Sequence, residues 1–331
     1  MLKAAIDSAP LTSGHGVRGV GFYTRNLIEA LGDRVDAVDF RTADLTKYDV
    51  VHYPYFDLFS RTLPAREPTK SVVTVHDVIP LIYPDHYPPG IRGKINFSLQ
   101  KKSLKNADAI ITDTETSKKD ICRFLEVEPD KVSVVYLAPR KIFRPIADNQ
   151  LLTAVQKKFN LPKSFVLYVG DVNYNKNIPN LVKACKIAKL PLIIVGKQAK
   201  EIEKLDLSHP ELSHLRNVDW SGVIRPGFVS DEDLAVIYNL ATLYVQPSFY
   251  EGFGFPVLEA VSSGTPVVAA RIQSLVEIAD GAATFVDPQD PKDIAEGFKN
   301  PVKNPKLPRL YSWEKTAKET LGVYKRSLAK L

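Results

Sequence analysis

Short apolar runs alternate with segments of helical periodicity along nearly the whole chain. Such alternation is typical of parallel sheets whose two faces are covered by helices. In the first half, the strand predictions are LKAAID, VDAVDF, DVVHY, SVVTVH, AIITD and VSVVYL. In the second half, they are FVLYVG, LIIVG, VDWSG, TLYVQP, PVVAA and ATFVD. Each series is sufficient for one doubly wound sheet.

The segment between the two series is rich in proline and charge and lacks a strong strand pattern. We therefore expect one Rossmann-like domain over residues 1–145 and a second over residues 160–310. The tail, 311–331, shows helical spacing behind a capping candidate, Ser312, and predicts a terminal helix. The expected fold class is α/β, with two doubly wound parallel-sheet domains facing each other across a cleft. Ligands of open α/β sheets bind at the carboxyl ends of the strands.

Composition narrows the class of protein. The chain has 331 residues, of which 44% are hydrophobic and 25% charged, with a net charge of +6. No signal-like segment and no apolar run of about 18 residues is found, so we expect a cytoplasmic protein. Cys122 and Cys185 are far apart in helical patterns, which favours reduced packing cysteines. Basic residues are not interleaved with aromatic ones, which argues against nucleic acid as a partner.

The stretch QPSFYEGFGFPVLEAVSSGTPVVAA, residues 246–270, contains the most informative loop. The loop lies between a predicted strand and a predicted short helix that has Pro256 in its first turn and Gly264 at its end. The start of a helix attracts anions, so a diphosphate would fit there. Glu251 in the loop and Glu259 in the helix would be repelled by that anion. Both are therefore better explained as acceptors for sugar hydroxyls.

Two other predicted strands are each followed by a single candidate site residue. His76 follows SVVTV directly, and Lys176 lies in the loop after FVLYVG, where a cation would neutralise phosphate. His52 and His86 have less support. The acidic run at 231–233 follows a serine and is better explained as a capped helix start than as a metal-binding D-x-D motif. No histidine, cysteine and acidic cluster has metal-ligand spacing, so no metal site is predicted.

A glycine-rich loop leaves a second interpretation open. Gly14, Gly16 and Gly19 form a G-x-G-x-x-G pattern, and Asp39 ends the next predicted strand, as a ribose-binding acid would in a dinucleotide fold. The glycines begin some seven residues after the strand, and the helix is predicted to start after Gly21, so the match is loose. An NAD(P)-dependent dehydrogenase therefore remains an alternative.

The segment 90–105 predicts a basic helix. Its cationic residues are Arg92, Lys94, Lys101, Lys102 and Lys105. Such a face contacts either water alone or anionic lipid headgroups, and the latter would bring a lipid-linked acceptor near.

In their order, the segments RGVGFYTRNL, VHDVIPLIYP, YVGDVNYNKN, GFVSDEDLAVIYNLA and PSFYEGFGFPVLEAVSSGTPVVAA resemble the retaining glycosyltransferases of family 4, which have the GT-B fold. The last segment is similar to the E-x7-E signature of that family. The resemblance implies a nucleotide-sugar donor held by the C-terminal domain and a glycan or glycolipid acceptor held by the N-terminal domain. It also implies a terminal helix that returns to the N-terminal domain, and no cofactor or metal.

The same resemblance assigns roles to residues. It makes His76, Glu251 and Lys176 the catalytic candidates. The donor-binding residues that it implies are Gly19, Gly21, Gly170, Lys176, Gly252, Phe253, Gly254, Phe255 and Glu259. Glu251 would contact the donor sugar, Glu259 the ribose and Lys176 the diphosphate.

The chain departs from the family pattern at one place. Many members carry an arginine near the lysine of this loop, where this chain has Asp171 and Asn175. Phosphate neutralisation would then depend on Lys176 and helix N-termini, with Arg18 or Arg225 as further candidates.

The implied reaction is transfer of a hexose-type sugar with retention, by attack from the leaving-group face. A retaining hydrolase using Glu251 and Glu259 as its two carboxylates is disfavoured, since both lie beside one anion site. A sugar-nucleotide-binding protein without turnover is the non-enzyme alternative. As a loop residue, Glu251 is expected to tolerate replacement by alanine without loss of the fold.

Overall fold

The computed structural model describes residues 2–14, 16 and 19–329. These residues form two compact units. The first contains the chain up to Pro84, Pro88–Ala138 and the chain from Tyr311 onwards, and the second contains Asp85–Tyr87 and Pro139–Leu310.

The first unit is built on a six-stranded sheet in the order β2-β1-β3-β4-β5-β6, with every pairing parallel. Its strands are β1 (Ala4–Asp7), β2 (Asp36–Val38), β3 (Val50–Tyr53), β4 (Lys70–Thr74), β5 (Ala109–Thr112) and β6 (Val132–Val134). The central strands are buried on both faces, as expected for a parallel sheet covered by helices.

Helices of the first unit connect these strands. They are α1 (Ala9–Thr12), α2 (Gly19–Leu31), α3 (Ile79–Ile82), α4 (Gly90–Asn106) and α5 (Glu115–Leu125), with single 3-10 turns at Gly32–Arg34, Leu45–Lys47 and Pro129–Lys131. The start of α5 is capped by Thr114, whose side chain accepts from the Ser117 amide.

The second unit has its own parallel six-stranded sheet, in the order β12-β11-β10-β7-β8-β9. Its strands are β7 (Val166–Val169), β8 (Leu192–Val195), β9 (Val223–Gly227), β10 (Leu243–Gln246), β11 (Val267–Ala270) and β12 (Thr284–Val286). The core lies between this sheet and its helices and includes Val166, Ile194, Val245 and Val268.

The helices of the second unit are α6 (Asn149–Lys158), α7 (Ile178–Ala188), α8 (Lys197–Lys200), α9 (Asp231–Leu240), α10 (Phe255–Ser262), α11 (Gln273–Ala279) and α12 (Pro291–Gly297), with 3-10 turns at Tyr174–Lys176, Ile202–Lys204 and Ser213–Leu215. Helix α9 confirms the capped acidic start, because the Ser230 side chain accepts from the Asp233 amide.

The last helix, α13 (Trp313–Ala329), belongs to the first unit, where it packs against α2, β3, β4 and β5. The predicted cap is present, since the Ser312 hydroxyl accepts from the Lys315 amide at 3.1 Å. The Thr316 hydroxyl donates to the Tyr136 carbonyl at 2.7 Å, and Tyr324 is fully buried. The terminal helix is therefore part of the core of the first unit.

One strand prediction is wrong. The segment VDWSG, residues 218–222, has no strand, and β9 is the next segment along the chain. Pro226 argues against a strand in the sequence, but β9 is at the sheet edge, where proline is tolerated. Gly222 has φ +76° and ends the preceding turn, while Trp220 packs on the core instead of continuing a ladder.

Candidate functional site

The second sheet reverses its strand order next to β7, the first strand of the unit, which lies between β8 and β10. The loops that follow β7 and β10 therefore leave the sheet side by side at its carboxyl edge. In open α/β sheets, this switch point is where ligands bind. Lys176 lies in the first loop and Glu251 in the second.

Lys176 and Glu251 form an ion pair at this switch point. The Lys176 Nζ atom lies 2.8 Å from both carboxylate oxygens of Glu251. One of these oxygens also accepts from Gln246 Nε2 and from the Ser248 hydroxyl, both at 2.6 Å. The Glu251 side chain is 8% exposed and that of Lys176 is 22% exposed. The carboxylate is held rigidly, and the ammonium retains access to water.

The expectation that Glu251, as a loop carboxylate, lies outside the core is wrong. A loop residue need not lie outside the core, and this one is buried and accepts from three side chains. Removal of this carboxylate leaves its buried polar partners without a hydrogen bond, which lowers the free energy of unfolding. Glu251 is therefore both a candidate site residue and a structural residue.

Two asparagines fasten the β7 loop to its neighbours. Asn175 accepts from the Tyr87 hydroxyl at 2.7 Å and donates to the Tyr250 carbonyl at 3.0 Å. Asn177 donates to the carbonyls of Pro247, at 2.9 Å, and Pro288, at 2.7 Å. Asn175, one of the two residues at which the chain departs from the expected family pattern, is therefore a brace between the two loops.

Helix α10 begins directly after the Glu251 loop. Gly254 precedes it with φ +112°, and a Cβ there would lie 2.7 Å from a Leu275 methyl. Only glycine fits this backbone without strain. Phe253 is buried, and its ring meets that of Phe255 edge to face at 5.4 Å. This packing fixes the backbone of residues 252–255, which leads into the N terminus of α10, the positive end of its dipole.

Glu259 lies inside α10 and is buried beside a cation that the sequence reasoning missed. Its carboxylate accepts from Arg140 Nη2 at 3.1 Å and from the Tyr238 hydroxyl at 3.2 Å. Arg140 also pairs with Asp231, and its guanidinium lies 4.7 Å from the centre of the Phe143 ring. Burial raises the pKa of Glu259 to about 7, although Arg140 opposes the rise. A buried, arginine-paired carboxylate is well suited to accept from hydroxyl groups.

The acidic run at the start of α9 is engaged in protein contacts. Asp231 pairs with Arg140, and Asp233 pairs with Lys158 at 2.7 Å. Within the described part of the chain, no three histidine, cysteine, aspartate or glutamate side chains are grouped as a metal would require. Among the same residues, no helix combines the length and the apolar character of a bilayer span.

In the first unit, His76 lies at the carboxyl edge of the sheet, as predicted. Its Nδ1 lies 2.7 Å from Asp113 Oδ2, and its ring meets that of Tyr23 edge to face at 4.7 Å. Burial disfavours the imidazolium, but the charge and hydrogen bond of Asp113 outweigh burial, so the pKa of His76 is raised. The sequence analysis did not identify Asp113 as the partner of His76, although Asp113 follows β5 as His76 follows β4.

His52 and His86, the two histidine candidates with less support from the sequence, have structural contacts. His52 is fully buried and bonded through Nδ1 to the Tyr324 hydroxyl and through Nε2 to the Thr74 hydroxyl, both at 2.7 Å. Burial lowers the pKa of His52 to about 3, so it is neutral. His86 belongs to the second unit, where its ring stacks on that of Tyr174 at 3.3 Å.

The glycine loop differs from the dinucleotide pattern. Helix α1 intervenes between β1 and this loop, and α2 begins at Gly19, three residues earlier than predicted. A Cβ on Gly19 would meet no described atom within 4 Å, whereas Gly21 is buried within the helix. Asp39, the proposed ribose acid, pairs with Arg41.

Arg18 and Arg225 are the two further candidates for phosphate binding. Arg18 lies outside the described residues. Arg225 donates to Glu203 at 2.5 Å and to the Ala199 carbonyl at 3.2 Å, and its guanidinium lies 5.5 Å from the centre of the Trp220 ring. The Arg225 guanidinium is therefore engaged by neighbouring residues of the second unit.

Comparison with known families decides the class. The sequence model described as "Glycosyl transferases group 1" matches residues 152–320, just over half of the chain. The chain belongs to this glycosyltransferase family. A second model, "Glycosyltransferase Family 4", matches residues 40–138. Membership decides against the dehydrogenase alternative.

Curated relatives in the family include bacterial mannosyltransferases. O-antigen chain mannosyltransferase B of Escherichia coli is 29% identical over 274 residues, which are 77% of this chain and 70% of the relative. The serotype-specific mannosyltransferase WbdA of Escherichia coli is 28% identical over 82% of this chain, which spans only 35% of that relative.

Solved glycosyltransferase structures match the whole chain. Sucrose-phosphate synthase from Thermosynechococcus elongatus aligns with a TM-score of 0.67 and 20% identity, covering 100% of both chains. HepE from Anabaena, solved with UDP-glucose, aligns with a TM-score of 0.66 and 13% identity over 100% of both chains. The two parallel six-stranded sheets with flanking helices are therefore those of a GT-B glycosyltransferase.

Proposed function

We propose that this protein transfers a hexose from a nucleoside-diphosphate sugar to a glycan or lipid-linked acceptor, with retention and without a metal ion. The observation that carries the proposal is the Lys176–Glu251 pair at the switch point of the second sheet. It combines a water-accessible cation for a diphosphate with a rigid carboxylate for sugar hydroxyls. The mannosyltransferase names of several relatives favour mannose as the sugar.

In the proposed reaction, the bond from the anomeric carbon to the diphosphate oxygen breaks as the acceptor hydroxyl attacks from the same face. The leaving nucleoside diphosphate gains a negative charge as this bond breaks, and the acceptor proton then moves to one of its oxygens and neutralises that charge. Lys176 and the N terminus of α10, with residues 252–255, stabilise that charge. Loss of one such preorganised group costs on the order of 10²–10³ in rate.

Ribose binding is assigned to Glu259 in this proposal. The carboxylate is buried and oriented by Arg140 and Tyr238, as an acceptor for two neighbouring hydroxyls requires. The roles of Gly170 in donor binding and of His76, Gly19 and Gly21 in the first unit remain predictions from the family resemblance. We also propose that the reaction occurs at the cytoplasmic face of a membrane, with peripheral contact through residues 90–105.

The test begins with a thermal-shift panel of UDP, GDP, dTDP, their common sugar conjugates and NAD(P), with and without magnesium. A nucleotide at about 100 times its Kd adds roughly 2.7 kcal/mol to stability, which raises Tm by several degrees. We expect a shift with one nucleoside diphosphate that magnesium does not change. A shift with NAD(P) alone would overturn the proposal.

The donor identified in this way is then incubated with a panel of mannose-terminated acceptors, and the anomeric configuration of the product is read by NMR. An α-linked product from an α-linked donor supports retention, and inversion would refute it. Full activity in EDTA supports metal independence. Donor binding with neither transfer nor slow donor hydrolysis would favour the sugar-nucleotide-binding alternative instead.

A further inference from the structure

Three residues that lie between α3 and α4 along the chain, Asp85–Tyr87, belong to the second unit. The residues on either side of this segment 85–87 belong to the first unit. Both aromatic side chains of the segment contact the loop that follows β7. The contacts are made to Tyr174 and Asn175, the two residues that directly precede Lys176.

Tyr87 holds Asn175 from one side. Its hydroxyl donates to Asn175 Oδ1 at 2.7 Å, and Asn175 is only 2% exposed. On the other side, the Asn175 side-chain amide donates to the Tyr250 carbonyl at 3.0 Å, and the Asn175 carbonyl accepts from the Phe249 amide at 2.8 Å. Glu251 directly follows Tyr250. A chain of hydrogen bonds therefore runs from Tyr87 through Asn175 to the loop of Glu251.

His86 packs on Tyr174. The two rings stack with their centroids 3.3 Å apart and an interplanar angle of 10°. The rings of His214 and Phe249 pack on the same tyrosine, each at a centroid distance of 5.6 Å. Burial lowers the pKa of His214 to about 4, so this ring contributes packing and no positive charge at neutral pH. The backbone before Lys176 is therefore fixed by ring packing as well as by hydrogen bonds.

The placement of Lys176 is important because its loop contains no second cation. Between Gly170 and Asn177, Lys176 is the only basic residue and Asp171 is the only acidic one. The attraction between an ammonium group and a phosphate weakens as their separation grows, so a single cation is effective only when it is held close. The Lys176 side chain is 22% exposed, and a ligand can therefore reach it while the two preceding residues stay fixed.

We propose that Tyr87 and Asn175 are positioning residues for Lys176. They hold the turn Tyr174–Lys176 against the loop of Glu251 and so set the place from which the ammonium group contacts a diphosphate. The inference rests on the proposed function, in which Lys176 binds the diphosphate of the donor. It adds that segment 85–87 determines how strongly this lysine does so.

The experiment measures the Kd values of UDP, GDP and dTDP and of the corresponding nucleosides by isothermal titration calorimetry. The ratio of the nucleoside Kd to the diphosphate Kd isolates the contribution of the two phosphates. For the nucleotide that binds the parent, Tyr87→Phe should lower this ratio about fivefold, because one hydrogen bond that orients the turn is lost. The nucleoside Kd should not change. Equal weakening of both ligands, or no weakening of either, would overturn the proposal.

Two further variants test whether Tyr87 acts through Lys176. Lys176→Met removes the ammonium group, so adding Tyr87→Phe to that variant should not lower the ratio again; a second fivefold fall would overturn the proposal. Tyr53→Phe is the matched control, since it removes a tyrosine hydroxyl that donates to Glu67 at 3.1 Å in the first unit. The control should keep the parent ratio, and an equal fall in it would also overturn the proposal.

A parent that binds no nucleoside diphosphate would refute the proposed function, and the positioning role is then decided without a ligand. Urea unfolding gives the coupling energy between Lys176→Met and Glu251→Ala, once with Tyr87 present and once in the Tyr87→Phe background. If Tyr87 positions Lys176, this coupling energy should be smaller without the hydroxyl. An equal coupling energy in the two backgrounds would overturn the positioning role.

Discussion

The Lys176–Glu251 pair makes a quantitative prediction about stability. Glu251→Ala removes a carboxylate that accepts from Lys176, Gln246 and Ser248. Breaking a buried ion pair by removing one partner costs about 3–5 kcal/mol. Water reaches Lys176, whose side chain is 22% exposed, so we expect the lower end of that range, about 3 kcal/mol. For a unit of this size, this corresponds to a fall in Tm of roughly 6–12 °C.

The assay is urea unfolding followed by circular dichroism, on the parent, Glu251→Ala, Lys176→Met and the double variant. Each single variant leaves one buried partner unsatisfied, whereas the double variant removes both charges together. The double variant should therefore lose less than the sum of the single losses, by about 0.5–3 kcal/mol. Additive losses would refute the pair.

Activity is measured at a temperature where every variant remains folded. Both single variants should transfer sugar on the order of 10²–10³ more slowly than the parent. Lys183→Gln, an exposed lysine on α7, serves as the charge control and should retain the parent rate. A folded Glu251→Ala variant with the parent rate would show that the carboxylate has only a structural role.

Three further predictions concern burial and backbone geometry. Burial raises the pKa of Glu259 from 4.5 to about 7, so ionisation of this carboxyl opposes folding. In urea titrations, the unfolding free energy of the parent should therefore fall relative to that of Glu259→Gln as pH rises from 4.5 to 7. A difference that does not change with pH would contradict this. Asp113→Asn removes the charge that raises the pKa of His76, so an NMR titration should show that pKa lower than in the parent, and an unchanged value would contradict the ion pair. Gly254→Ala should lower the unfolding free energy by about 1–3 kcal/mol more than Gly281→Ala does. Both glycines have positive φ, but of the two only Gly254 lacks room for a Cβ. Equal losses would contradict the close contact between Gly254 and Leu275.

Much of the fold could be predicted from the sequence because the signals are local. A strand buried on both faces is a short apolar run, and eleven of the twelve predicted strands overlap observed ones. The capped start of α9 is equally local, since Ser230 and the amide that it caps are three residues apart. The failure at β9 has the same origin. Pro226 disfavours a strand locally, and only the position of β9 at the sheet edge makes the proline acceptable.

The sequence by itself determined where candidate side chains lie along strands and loops, but only the tertiary structure decided which of them are partners. Lys176 and Glu251 are 75 residues apart, and they meet because β7 and β10 are neighbours at the switch point. Arg140 and Glu259 are 119 residues apart, and no periodic pattern connects them. Periodicity reports which face of an element is buried, whereas an ion pair depends on strand order and on the path of loops. Those are set by packing over the whole unit.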